Sequence, residues 1–155
     1  MASLTATITE AITLNGKDQG GTYATTISGV NDIYKRIVTV PSGGDTTIAS
    51  FQTAVSTSDN ALDLENVKYI RVTNIDGSNP VNLSLQIAGG EDGTGNMSTT
   101  VLLEAGRSFI LGTVHDGIAT SDANATIVTA LTDLESILVD SLSENVQLEV
   151  LIATG

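Results

Sequence analysis

Val81, Leu83, Leu85 and Ile87 alternate with Asn82, Ser84 and Gln86. A period of two puts the four aliphatics on one face, the pattern of a strand with one buried and one wet side. Pro80, which has no N–H, fits the start of that strand. The run Lys68 to Ile75 before it carries Ile70 and Val72 on one face, and Asp76-Gly77 and Asn79-Pro80 punctuate the gap. The pattern predicts a hairpin with a wide connection. At the C-terminus Val146, Leu148, Val150 and Ile152 alternate with Gln147, Glu149 and Leu151. A strand over 135–140 precedes them, with Ser143-Glu144-Asn145 as the turn. Leu131, Leu134, Leu138 and Leu142 offer a rival helical spacing over 129–142, but the alternation that continues beyond favours strand.

The same grammar runs through the rest of the chain. Leu4 to Thr9 alternates, Ile12 and Leu14 follow, and Asn15-Gly16 reads as a turn. Further strands are predicted over 22–30, 33–40, 46–55, 101–103 and 107–111, the last two flanking Glu104-Ala105-Gly106, with a weaker one over 125–131. Helix is confined to about one turn near Leu62–Asn66. Short strands at this spacing predict one all-β antiparallel domain over residues 1–155, sandwich or barrel.

Composition narrows the function. Formal net charge is −12, from 6 basic and 18 acidic residues, and no Lys or Arg follows Arg107. Such a surface repels phosphate backbones, so no nucleic-acid partner is expected. There is no cysteine, which removes disulfide frameworks, zinc–thiolate sites and thiol catalysis. The start MASLTATITEAITL lacks the basic and apolar regions of a signal peptide, and no apolar run suits a membrane helix. No membrane partner is expected.

Candidate chemistry is sparse. His115 is the single histidine and lies beside Asp116, with Ser108 and Ser121 as conceivable nucleophiles. Adjacent side chains on a strand point apart, so a solvent-exposed loop histidine is the expected state. Glu91-Asp92-Gly93-Thr94-Gly95-Asn96 departs from a calcium-loop pattern. Gly89, Gly90, Gly93 and Gly95 do not make a phosphate loop, and no lysine follows them. Acid pairs are plentiful, but a chain with no Trp is poor in the platforms that sugars stack on. Tyr23, Tyr34, Tyr69, Phe51 and Phe109 are read as packing residues, and Lys35-Arg36 as a solvated or rim pair. The expectation is no catalytic residue, no cofactor and no metal ligand. Loops 88–96 and 114–124 are where a bound ligand would sit.

The stretches YIRVTN…PVNLSLQI, LLEAGRSFIL and LESILVDS…NVQLEVLIAT, over residues 68–111 and 134–154, resemble structural proteins of tailed-bacteriophage virions, cyanophage-like ones in particular. The resemblance implies a jelly-roll-like β-sandwich and a non-enzymatic capsid decoration, or cement, role. Its partner would be the major capsid protein, its assembly a homotrimer, and its place the capsid surface after synthesis in the host cytoplasm. Two alternatives stand beside it: a receptor- or glycan-binding module of a tail fibre or adhesin, and a head–tail or tail component. Residues 1–14 form an alternating strand at a terminus and are read as an extended arm suited to strand addition on a neighbour.

Overall fold

The computed structural model describes residues 1–53, 61–89, 97–120 and 127–155. Among these, every regular element is a strand except one 3₁₀ turn, Leu64–Asn66. The chain opens with β1 (Ala2–Glu10), β2 (Thr13–Leu14), β3 (Lys17–Asp18) and β4 (Gly21–Val30). β1 pairs with β4 and β2 with β3, all antiparallel, so residues 2–30 form one long hairpin. Its tip is Asn15-Gly16, at φ 52° and 74°. A two-residue type I′ turn needs positive φ at both central positions, which Asn tolerates and Gly adopts freely.

The body follows: β5 (Asp32–Val40), β6 (Asp45–Gln52), β7 (Leu62–Asp63), β8 (Val67–Asn74), β9 (Val81–Ile87), β10 (Met97–Leu103), β11 (Ser108–Leu111), β12 (Leu134–Asp140) and β13 (Val146–Thr154). Apart from the short β7, which runs parallel to β6, eight strands remain. The first pairs with the last (β5–β13), the second with the seventh (β6–β12), the third with the sixth (β8–β11) and the fourth with the fifth (β9–β10). That nested antiparallel scheme is a long hairpin wound into two sheets, the jelly roll. β8–β13 and β9–β12 contacts complete the sheets, in the orders β11-β8-β13-β5 and β10-β9-β12-β6-β7. The expected antiparallel β-sandwich is the observed fold.

The expected strand pairings need correction. Residues 68–74 and 81–87 are strands but lie in opposite sheets, and so do β10 and β11, and β12 and β13. Each expected hairpin is a crossover between layers. Among the eight strands of the nested scheme, β9–β10 is the one pair consecutive in the chain. The predicted strand over 125–131 is also absent from its described part: residues 127–131 carry none, and only an isolated bridge joins Ile118 to Thr132. The short helical turn near Leu62–Asn66 appears as the 3₁₀ turn, capped by Asp63 Oδ1 accepting from Glu65 N at 3.2 Å.

The core lies between the sheets. Val81, Leu83, Leu85 and Ile87 face Ile70, Val72, Leu148, Val150 and Ile152, and all are buried. Full burial of each such side chain stabilises by roughly 1.5–3 kcal/mol. β12 keeps Leu134, Ile137 and Val139 inward because it carries one extra residue against β9 between Leu134 and Ser136; the irregularity against β6 at Ile137/Leu138 places its extra residue, Ile48, on β6. A bulge adds one residue to a strand and resets which positions face the core. The helix-like leucine spacing has no counterpart in the packing: Leu134 is buried, Leu138 is not among the core residues, and Leu131 and Leu142 are exposed outside the strand.

Candidate docking surface

The hairpin arm has two unlike faces. Directly opposed residues of an antiparallel pair share a side. One face carries Leu4 opposite Ile27, Ala6 opposite Thr25, and Ile8 opposite Tyr23. The other carries Ser3/Ser28, Thr5/Thr26, Thr7/Ala24 and Thr9/Thr22. The apolar face continues a contact begun at the base. Leu4, Ala6 and Ile27 pack against Val30, Tyr69, Leu151 and Ala153 on the outside of the four-stranded sheet. Lys68 Nζ donates to the carbonyls of Gly29 (3.0 Å) and Ser28 (3.3 Å), and Asn31 N donates to Thr154 O at 2.8 Å. Beyond this footing Ile8 is 52% and Tyr23 68% exposed, Glu10 opposite Gly21 comes next on that face, and Ile12 and Leu14 are exposed nearer the tip. Residues 1–14 are therefore one limb of a hairpin, already hydrogen-bonded to β4, and not a free strand seeking a sheet edge.

The outer face of the four-stranded sheet adjoins the arm. Its rows follow from register: Ile37–Glu149–Thr73–Ser108, then Lys35–Leu151–Arg71–Ile110, then Ile33–Ala153–Tyr69. Ile33, Ile37 and Ile110 are exposed. Glu149 on the central strand stands diagonally between two cations. Lys35 Nζ approaches it at 3.2 Å and Arg71 donates to its other oxygen. Both interactions, the Lys35 hydrogen bond foremost, hold the Glu149 carboxyl below its usual 4.5. A depressed carboxylate contributes stability that is present above the unfolded pKa and lost as pH falls through the folded one. Glu149→Gln is therefore expected to flatten the acid limb of stability below about pH 4.5, read by urea unfolding at stepped pH. An acid limb unchanged by the substitution would contradict the pairing.

Charge is divided between the sheets. Lys35, Arg36, Lys68 and Arg71 lie on β5 and β8, Arg107 precedes β11, and Lys17 is in the arm. The strands of the other sheet contain no Lys or Arg and carry Asp45, Asp63, Glu135 and Asp140. The expected rim pair is placed accordingly: Lys35 joins the Glu149 group, and Arg36 lies over the Tyr34 ring at 4.2 Å. A polar groove of about 240 Å³ crosses the outer face of that second sheet, lined by Asn82, Ser84, Gln86, Thr100 and Asp140 among others.

The remaining sequence candidates fall as follows. Ser108 is on β11, with its hydroxyl 2.8 Å from Thr73 Oγ1 and on a different row from any histidine. Glu91–Asn96 and Ser121 lie outside the described residues. His115 lies in the loop after β11 with its side chain 41% exposed, and its ring stands 3.3 Å from Asp116 and 3.1 Å from Asp133. Residues 115 and 116 are not on a strand, and Asp116 adopts φ 46°, which brings the two neighbouring side chains together. Asp133 was missed altogether. Nothing in the sequence marks it as a neighbour of residue 115.

No protein-family model and no curated protein matches the chain. Three solved structures do, all distantly. One is from Bacillus endospore appendages, a family of disulfide-linked pili, at 11% identity and TM-score 0.38, covering 83% of this chain and 92% of that one. The family 11 carbohydrate-binding module of the cellulosomal cellulase Lic26A-Cel5E of Clostridium thermocellum aligns at 11% identity and TM-score 0.29, over 100% of this chain and 84% of the module. A second structure of that module, with a β-1,3-1,4-mixed-linked tetrasaccharide, gives 10% and 0.30, over 100% and 85%. At these scores the likenesses carry no argument, and the fold rests on the strand pairings themselves.

Proposed function

We propose that this chain is a non-enzymatic structural protein of a virion, which decorates and reinforces the capsid through protein–protein contacts. The observation that carries the reading is the amphipathic arm, whose apolar face is covered by its own domain only at the base. Several large apolar side chains exposed along one arm, here Ile8, Tyr23, Ile12 and Leu14, suit a protein contact. The jelly roll suits the role, being a rigid frame common in shell proteins, and so does the resemblance of residues 68–111 and 134–154 to phage virion proteins. Docking would use the arm and the adjoining four-stranded sheet. The cation-free sheet would then face outward, where its acidity favours solubility.

The test is co-sedimentation with assembled capsid shells that lack this chain. Ile8→Ser with Tyr23→Ser is expected to leave the unfolding midpoint within about 0.5 kcal/mol of the parent, because both side chains are exposed. The same variant is expected to lose shell binding. Full occupancy by the variant would reject the arm as the docking element. The expected trimer is read separately by light scattering of the free protein, and a strict monomer would remove it.

A second reading, a glycan-binding module, is favoured by the polar groove over Asn82, Ser84 and Gln86. Its amides and hydroxyls suit sugar hydroxyls, but no aromatic platform lines it. Binding on a glycan array that is lost on Gln86→Ala would favour it over decoration.

A further inference from the structure

We propose that His115, Asp116 and Asp133 form a site for a divalent transition metal, which staples the loop after β11 to the start of β12. One nitrogen from the histidine and one oxygen from each carboxylate lie within 4.8 Å of one another. Two features separate this group from the many exposed acids of the chain.

The first is His115 Nδ1. It is buried and has no hydrogen-bond partner. It lies 3.1 Å from Asp133 Oδ1, but not in a geometry that makes a hydrogen bond. A shielded nitrogen facing a carboxylate oxygen is unfavourable unless a proton or a metal ion lies between them. Ligands held tetrahedrally at about 2.0–2.1 Å from a zinc ion stand roughly 3.3 Å apart. The observed separation is close to that. With Nδ1 as ligand, Nε2 keeps the ring proton. Asp116 Oδ2 stands 3.3 Å from Nε2, on the other side of the ring, and its side chain, 73% exposed, has to turn to supply the third donor.

The second is charge. Among the described residues no lysine or arginine pairs with Asp116 or Asp133, and His115 is their ionic partner. Two carboxylates thus face one imidazole without a fixed cation. An imidazole beside carboxylates suits zinc and its transition-metal neighbours. Calcium and magnesium prefer oxygen alone.

The local backbone holds the donors in place. Val114 is in the core, and its carbonyl accepts from Leu134 N at 3.0 Å. Asp116 N donates to Asp133 Oδ1 at 2.7 Å, Gly117 N donates to Thr132 O at 3.0 Å, and Ile118 bridges Thr132. Position 117 requires glycine: a Cβ there would lie 2.6 Å from Thr113 O. A loop fixed this way presents its side chains to a ligand at little ordering cost.

The experiment is Zn²⁺ titration of the chelator-treated full chain at pH 7.5, followed by calorimetry. His115 is the only histidine, so its ring proton resonances provide an independent readout in NMR. One saturable Zn²⁺ per chain is expected, with the imidazole signals shifting in step. Affinity should weaken as pH falls, since protons compete with the metal for its ligands. His115→Ala and Asp133→Asn are each expected to weaken binding at least tenfold, while circular dichroism shows both folded without metal. Asn at 133 keeps an acceptor for Asp116 N, so its loss of binding would not be a folding defect. The proposal is overturned by Zn²⁺ binding that is equal in His115→Ala, by imidazole signals that respond to pH but not to Zn²⁺, or by Ca²⁺ giving the same His115-dependent isotherm.

Discussion

Leu83→Ala is expected to lower the free energy of unfolding by about 3 kcal/mol, within the 2–5 kcal/mol range of buried leucine truncations. Leu83 has no exposed surface. It sits mid-strand in β9, opposite Val101 on one side and Val139 on the other. Both neighbours are held by their own ladders, so the site collapses poorly and a cavity remains. In a chain of this size about 3 kcal/mol corresponds to roughly 6–12 °C in Tm. Leu102→Ala, one strand over but on the exposed side, is the control. Its expected effect is within about 0.5 kcal/mol. Guanidinium unfolding of both variants makes the comparison. Equal effects would mean that the inward and outward faces of this sheet are wrongly assigned.

The second large effect belongs to a polar residue. Asn74 is fully buried at the end of β8. Its Nδ2 donates to Asn79 O at 2.8 Å and to Leu103 O at 3.2 Å, and its Oδ1 accepts from Asp76 N at 3.0 Å. Its backbone bonds both ways with the β10–β11 turn: Asn74 N to Arg107 O and Gly106 N to Asn74 O, each 2.9 Å. One side chain therefore stitches two crossovers between the sheets. Asn74→Ala removes the amide and leaves buried carbonyls without that donor, at a cost of about 2–4 kcal/mol. Asn74→Asp goes further, because it sets a carboxylate against two carbonyl oxygens. That carboxyl would be raised above its unfolded pKa. The folded state then binds more protons, and stability falls as pH rises from the unfolded value towards the folded one. The Asp variant is expected to be more stable at pH 4 than at pH 7, relative to the parent at each pH. The Ala variant is expected to show no such tilt. An Asp variant that gains relative stability with rising pH would contradict the placement of Asn74.

Strand existence was legible because the two sides of each strand meet different solvents. Val81 to Ile87 is the clearest instance, and all four of its aliphatics are buried. Strand partnership was not legible. An inward residue of β8 has the same apolar requirement whether the next strand lies beside it or across the core. The connection Asn74 to Val81 therefore read as a hairpin while it crosses between layers. In this fold the pairings that build the sheets, β5 with β13 and β6 with β12, join residues about 100 positions apart. No local pattern encodes them. The helix-like spacing of Leu131, Leu134, Leu138 and Leu142 is a coincidence of composition: only Leu134 is buried, and the strand preferred over 135–140 is observed as β12. The arm was seen as a terminal strand, but its second limb, Gly21–Val30, read only as another strand rather than as its partner. The cluster at His115 depends on one positive φ and on an aspartate 18 positions away, neither of which alternation reveals.

The docking role is tested most directly by imaging an intact particle at a resolution that traces this chain. The expected result is a jelly roll on the shell with Ile8, Ile12, Leu14 and Tyr23 seated against a shell protein and the cation-free sheet turned to solvent. A particle that lacks the chain, or that carries it with those four side chains bare, would contradict it.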